Sequence, residues 1–360
     1  MQTVNQTNQQ AMNMKNILVG VFLLTASGAI AQQTDMSLIP YRQGDKWGYA
    51  SADRKVVIAP KYSEANWFSE GYASVKVGNK YGYINKAGTL VIPAKFTVAK
   101  SFRKGYVPSA KKEGGDSILF AGASLVASGE EICINTKGIT LLKCPAINEN
   151  SVLENRVPFK TVTTEKTYSV PNSNGLFDKI VDDYKIPGSE EIYYVATKNN
   201  LYGVFNTKFD TIVPFQYTSI KVNRKSVVPY LEVNRNNMYG VLADDGKTII
   251  NPEYSNLVTV DGTDGKQYII IRKDGKAYVK DIAGNKDIIS SGYSDIVYDN
   301  GGFIITGENN MRGFYFTDNT VIQPKYQDVK WVNGTKYLLV KTSSGKVGYI
   351  NTAGDEYFAE

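Results

Sequence analysis

Apolar and polar positions alternate along Tyr72-Ala73-Ser74-Val75-Lys76-Val77, the period of a strand with one face buried. Gly78-Asn79 breaks the run, and Lys80-Tyr81-Gly82-Tyr83-Ile84-Asn85 resumes it, which predicts a hairpin. Lys86-Ala87-Gly88 turns the chain again into Thr89-Leu90-Val91-Ile92. That last run is apolar at consecutive positions, so it is expected to be the most buried strand and to end at Pro93, which cannot donate to a ladder. A weaker fourth piece follows at Val98 to Phe102, with counterparts at Ala65 to Phe68 and Val329 to Val332. No stretch shows a helical period. The pattern predicts an all-β fold.

The same phrase recurs. Its glycine falls at Gly48, Gly82, Gly203, Gly240, Gly313 and Gly348, with steps of 34 residues from 48 to 82, 37 from 203 to 240 and 35 from 313 to 348. A proline and then an aromatic follow in the complete copies, as in Pro60 and Tyr62, Pro214 and Tyr217, or Pro324 and Tyr326. Lys276-Ala277-Tyr278-Val279 reads as a worn copy with alanine for the glycine. Ile132-Cys133-Ile134-Asn135 and Asn174-Gly175-Leu176-Phe177-Asp178 read as further eroded copies. A glycine weakens a strand, so its return at one phase means that no side chain fits there; an aromatic lying over the bare backbone is the expected cause.

The whole phrase, from Trp47-Gly48-Tyr49 onward, resembles the WG repeat family of bacterial arrays. The resemblance covers roughly residues 38 to 360 and implies no catalytic residues. Clear units lie near 38–71, 72–104, 193–229, 230–266, 302–335 and 336–360, with degenerate ones within 105–192 and 267–301. About eight or nine small antiparallel units of about 35–37 residues fit a β-propeller-like array, closed or nearly so. An open β-solenoid is the alternative, because the chain begins and ends at nearly the same phase and shows no shared closing unit.

Residues 1–31 read as a leader outside that array. Lys15, the apolar run Ile17 to Ala26 and the small-x-small site Ala29-Ile30-Ala31 have the order of a secretory signal peptide, with Met14 a candidate start. About ten apolar residues fall short of the roughly twenty that span a bilayer, so no transmembrane anchor is expected. An exported, periplasmic, cell-surface-associated or secreted array follows.

Composition narrows the chemistry. There is no histidine, which removes Ser-His-Asp and Cys-His catalysis and any His-dependent metal site. No dinucleotide or phosphate-loop fingerprint appears, and neither a cofactor nor a metal is expected. Once Lys15 leaves, 40 basic residues face 35 acidic ones without a dense basic block, so nucleic acid is not an expected partner. The acidic pairs Glu130-Glu131, Asp182-Asp183, Glu190-Glu191 and Asp244-Asp245 could supply glycoside hydrolysis only if two carboxylates met across a cleft. Neighbours on a strand point to opposite faces, which argues against it. Asp261-Gly262-Thr263-Asp264-Gly265 carries oxygen ligands but lacks the length and final glutamate of an EF-hand. The insertion-rich middle, with a charged loop at Lys111 to Asp116, is the expected place for binding. A non-enzymatic scaffold for a protein or envelope glycan is the reading that results, with a carboxylate glycosidase as its rival.

Cys133 and Cys144 flank Gly138, which occupies the turn position of Gly88. A symmetric hairpin about that turn would oppose the two cysteines and allow a disulfide, which export permits. The leader makes the first prediction: exported protein begins at Gln32 when its N-terminus is sequenced, whereas exported chains still starting at Met14 contradict cleavage.

Overall fold

A computed structural model describes residues 34–107, 116–125, 129–147, 175–224 and 229–359. The leader at 1–31, residue 174 and the loop over 111–115 lie outside the described residues. Every described element is a strand, and no helix among the described residues is long and apolar enough to cross a membrane. The described strands form eight sheets, which follow chain order except that Thr34–Asp35 pairs into the second and Phe358–Ala359 into the first.

The fifth sheet shows the plan: Ser219–Asn223, Tyr230–Arg235, Met238–Ala243 and Thr248–Tyr254 pair as an antiparallel meander. The fourth (Lys179–Lys185 to Thr211–Tyr217), sixth (Asn256–Asp261 to Lys286–Tyr293) and seventh (Asp295–Asp299 to Val321–Tyr326) repeat it. The sixth sheet is therefore complete, although the repeat phrase is worn there. The weak fourth piece expected at the end of each unit is instead the first strand of the next sheet; Asp328–Trp331 opens the eighth sheet in this way.

The repeated glycine is explained by the register. In the fifth sheet Val241 pairs with Ile250 and Tyr239 with Tyr254, so residues 251 to 253 arch opposite Gly240 alone. The same three-over-one bulge stands opposite Gly48, Gly82, Gly203 and Gly313. A Cβ on Gly240 would lie 2.6 Å from the Ile250 carbonyl oxygen and 2.7 Å from the Pro252 nitrogen. At Gly48, Gly82 and Gly313 the crowding atoms are likewise backbone, which corrects the expected aromatic cover. A ring fills the space only at Gly203 (Phe215) and Gly348 (Phe358). The proline sits inside the arch, where its missing N–H breaks no ladder bond. Strands such as Leu90–Phe96 therefore run through Pro93 to the aromatic rather than stopping at it. They are edge strands whose early residues face outward: Leu90 and Val91 are exposed and only Ile92 is fully buried, contrary to expectation.

In the sixth sheet Ala277 pairs with Tyr293 and Val279 with Ile289, which puts Tyr278, not Ala277, at the glycine position. The missing glycine reappears across the ladder as Gly292, whose Cβ would lie 2.9 Å from the Tyr278 hydroxyl. The worn copy keeps the bulge by moving its glycine.

One residue joins each fourth strand to the first strand of the next sheet. Ser63, Thr97, Thr218, Ser255 and Ser294 donate both backbone N–H and hydroxyl to one carbonyl of that next sheet; for Ser294 the acceptor is Thr306, at 3.0 and 2.9 Å. Gln327 does the same with its backbone N–H, to Lys341 at 2.7 Å. The Asn of the phrase has a local role: the Asn85 carboxamide oxygen accepts from Ala87 and Thr89 N–H and shapes the turn in which Gly88 takes a φ of 78°.

The core lies between sheets. Tyr49, Ile58, Phe68, Val75 and Ile84 join the first sheet to the second, and Tyr83, Ile92, Phe96, Phe102 and Ile134 join the second to the third. Similar clusters join the fourth sheet to the fifth and so on to the eighth. The eighth sheet meets the first through Ile39, Ala50, Tyr337 and Tyr357, with Trp67 and Tyr349 beside them. Phe358–Ala359 pairs in parallel with Ile39–Gln43 and fills the first-strand place of the first sheet. The chain ends thus do share a closing sheet, which the sequence did not disclose. Trp47 lies at this junction, edge-on to Tyr349 at 5.9 Å with the Arg42 guanidinium 5.8 Å over its ring.

Cys133 and Cys144 are bonded, with Cα atoms 5.3 Å apart. The hairpin is not the symmetric one expected: Ile134 bridges Thr140, and Leu141 N–H donates to the Cys133 carbonyl, so Cys144 lies beyond the directly opposed position.

Gly240→Ala should lower stability by about 1–3 kcal/mol, since backbone cannot yield as a side chain can. Gly284→Ala is the comparison, because its Cβ would meet only the Asp281 carboxylate, 3.2 Å away. Equal shifts for both variants in thermal unfolding followed by circular dichroism would rule out the crowding explanation.

Candidate functional site

A cleft of 410 Å³ opens where the fifth and sixth sheets meet, lined by Lys221, Asn223, Glu232, Leu257, Val258 and Thr259 among others. Lys221 and Asn223 come from the first strand of the fifth sheet, Glu232 from its second, and Leu257 to Thr259 from the first strand of the sixth.

Glu232 makes this seam different from the rest. It stands across from Val241 in the ladder. The residues in the same place in the other seven sheets are Pro40, Ser74, Gly122, Val195, Ile270, Ile304 and Leu339. Glu232 is the one charged residue in that set. Thr259 pairs with Ile269; its counterparts are Val222, Tyr298 and Trp331 in the fifth, seventh and eighth sheets and Asp183 in the fourth. The carboxylate that breaks the repeat therefore faces a small hydroxyl across the seam.

Their hydrogen bonds form a single network. Glu232 Oε1 accepts from Thr259 Oγ1 at 3.1 Å and from Asn223 Nδ2 at 3.2 Å, while Oε2 accepts from Lys221 Nζ at 3.1 Å. Asn223 Nδ2 also donates to the Tyr230 hydroxyl at 2.7 Å, and that hydroxyl lies 3.3 Å from Thr259 Oγ1. Because Thr259 has one proton and gives it to Glu232, Tyr230 is the donor in the last contact. The Glu232 side chain is 16% exposed and that of Lys221 74%, so the lysine reaches in from solvent. Burial, with the Glu232 and Asp261 carboxylates nearby, outweighs the Thr259 and Asn223 hydrogen bonds and pushes the Tyr230 hydroxyl up to about 12. At the rim Arg224 pairs with Asp182 at 2.7 Å.

The acidic pairs seen in the sequence are mostly placed elsewhere. Glu131 pairs with Lys100, Glu190 with Lys185, and Asp245 with Lys247, whose hydrogen bond draws the Asp245 carboxyl below its usual range. In the loop at 261–265, Asp264 accepts from the Tyr268 hydroxyl and Lys266 N–H, and Asp261 accepts from Gln267. Among the described residues no group of three or more His, Cys, Asp or Glu could hold a metal ion. The repeat glycines and Trp47 are structural in position; Cys133 lies in the third sheet and is bridged to Cys144 in the segment after it, away from the cleft. Sequence reading passed over Glu232, Asn223 and Thr259; aligning the copies on the glycine would have exposed the lone carboxylate in its column.

A family model described as WG containing repeat matches residues 47–81, 81–108 and 202–237. The chain carries WG repeats at these three stretches. No curated protein matches it. Among solved structures, one titled as the eukaryotic initiation factor is 12% identical over 90% of this chain and 95% of that one, at a TM-score of 0.32. The Dos1 propeller is 11% identical over 90% and 99%, at 0.27. Dihydro-heme d1 dehydrogenase NirN is 12% identical over 90% and 73%, at 0.30. Likenesses this distant carry no argument about function; the propeller-like, all-β description rests on the small antiparallel sheets themselves.

The buried tyrosines give a pH dependence. Tyr81, through burial and the Glu64 carboxylate it donates to, is pushed up to about 12, as is Tyr230. Tyrosines of the unfolded chain lose protons near ~10, so the folded state holds more protons between that value and about 12. Stability is complete below pH ~10 and falls as pH rises toward about 12. Tyrosinate absorbance should lag and then rise together with loss of circular dichroism; ionisation of all tyrosines near pH ~10 in a chain that stays folded would refute the assignment.

Proposed function

We propose that this chain is an exported, non-enzymatic repeat scaffold that binds a protein or glycan of the cell envelope. The observation that supports it is the cleft between the fifth and sixth sheets, where one carboxylate replaces an otherwise uncharged seam position. Elsewhere the repeated residues serve the bulge, the junction and the seam, which leaves departures from the repeat as the places where a partner is recognised. The leader in the sequence supplies the address.

The rival reading, a carboxylate glycosidase, draws on Glu232 and Asp261 lining one cleft. Glu232 takes donors on both oxygens and Asp261 accepts from Gln267, so each carboxylate is held as an acceptor and neither has the arrangement of the general acid that the pair also needs. The purified exported chain should co-sediment with an envelope preparation and release no reducing sugar from it. Release that disappears on Glu232→Gln, or on any other single Asp or Glu substitution, would sink the non-enzymatic reading.

A further inference from the structure

We infer that the cleft between the fifth and sixth sheets is a carbohydrate subsite that takes a neutral, hydroxyl-rich glycosyl unit through Glu232, Asn223, Thr259 and Lys221. This rests on the binding reading above and names the ligand class of the same site.

The charge distribution selects the class. A simple anion would meet the Glu232 carboxylate in the middle of the cleft, and a simple cation would meet Lys221 and Arg224 at its edges. A purely apolar ligand would bury that carboxylate and the Asn223 carboxamide without compensation. A sugar hydroxyl both donates and accepts, so one can give its proton to Glu232 while it receives one from Lys221 or Asn223. These groups already lie within 3.2 Å of the carboxylate, an arrangement that adjacent hydroxyls of one ring can enter by replacing the exposed Lys221 contact. Only the lysine end of that pair is exposed, so it is the Lys221 contact that a ligand exchanges.

The walls fit the same class. Leu257, on the same side of its strand as Thr259, presents an apolar surface beside the polar network, suited to the C–H face of a pyranose. The volume of 410 Å³ falls inside the range of about 300–1,000 Å³ for small-molecule sites. The Tyr230 hydroxyl, which stays protonated at neutral pH, holds Thr259 and Asn223 in place from below and acts as a positioning residue.

The repeat supplies variants that should fold. Glu232→Leu installs the residue that Leu339 places at the same ladder position, and Thr259→Val installs the counterpart of Val222. The full exported chain is titrated with chitotetraose, mannotetraose and xylotetraose by calorimetry and by saturation-transfer NMR, with tetra-alanine and inorganic phosphate as the non-sugar probes. Circular dichroism checks each variant. The expected result is saturable binding of at least one tetrasaccharide by the native chain, weakened about tenfold or more in each folded variant. Three results overturn the inference: no saturable sugar binding at millimolar concentrations, binding of the peptide or phosphate alone, or variants that bind sugar as well as the native chain. Envelope co-sedimentation is measured on the same proteins. If native and variant chains sediment alike, this site is wrong while the scaffold reading stands; if the native chain binds a tetrasaccharide but no envelope, the scaffold reading fails and the site remains.

Discussion

The arch of three residues over one glycine governs this structure. Where the ladder re-forms beyond the arch, Tyr254 lies against Tyr239 and Ile250 against Val241, so the fourth strand returns in register after its detour. The bend carries the chain off the edge of one sheet and releases it one residue before the next. Ser255, the single residue between Tyr254 and Asn256, then hooks to Arg272 in the sixth sheet. The glycine, proline, aromatic and hydroxyl of the phrase are thus parts of one joint. A side chain at the glycine would collide with backbone, whose displacement would move the start of the following sheet.

That joint makes each sheet depend on its neighbour. A sheet's first strand leaves the preceding unit, and both faces of a sheet serve inter-sheet clusters: in the fifth, Leu231, Val233 and Leu242 face the fourth sheet while Tyr230, Val241 and Ile250 face the sixth. Each fully buried aliphatic or aromatic side chain contributes about 1.5–3 kcal/mol, and a junction hydrogen bond about 1. The seams supply most of the stability and the hydroxyls set the geometry. At the first sheet the same demand is met differently: Phe358–Ala359 takes the edge that a first strand holds elsewhere, in parallel orientation. In the third sheet, where the phrase has decayed to Ile132-Cys133-Ile134-Asn135, the Cys133–Cys144 bridge stands where the bulge and its proline would be.

The strands and their antiparallel order were legible because alternation and turn residues are local properties. So was the place of the glycine, since a forbidden side chain leaves the same mark in every copy. What crowds it was not legible, because a bulge depends on cross-strand register. The position of a glycine along its own strand says nothing of how many residues oppose it; the displaced pair Tyr278 and Gly292 shows this most directly. Leu90 and Val91 misled for a related reason: an apolar run signals a central strand unless its sheet position is known, and these lie on an edge. The disulfide partners could be paired from the sequence, but the hairpin between them closes in another register.

The cleft was missed because its residues are ordinary one at a time. Lys, Asn, Glu and Thr in alternating strands read as a solvated face, and only their register against the other copies gives them meaning. A repeat array offers its own control, since each position is seen several times in nearly the same surroundings. Where the other sheets accept proline, serine, glycine or an aliphatic residue, packing evidently requires no charge. A carboxylate in the fifth must be held by something, and here Asn223, Thr259 and Lys221 hold it in a seam that could have been closed by a leucine. An uncharged residue would spare the cost of desolvating a carboxylate between the sheets, so the seven other sheets give no packing reason for Glu232.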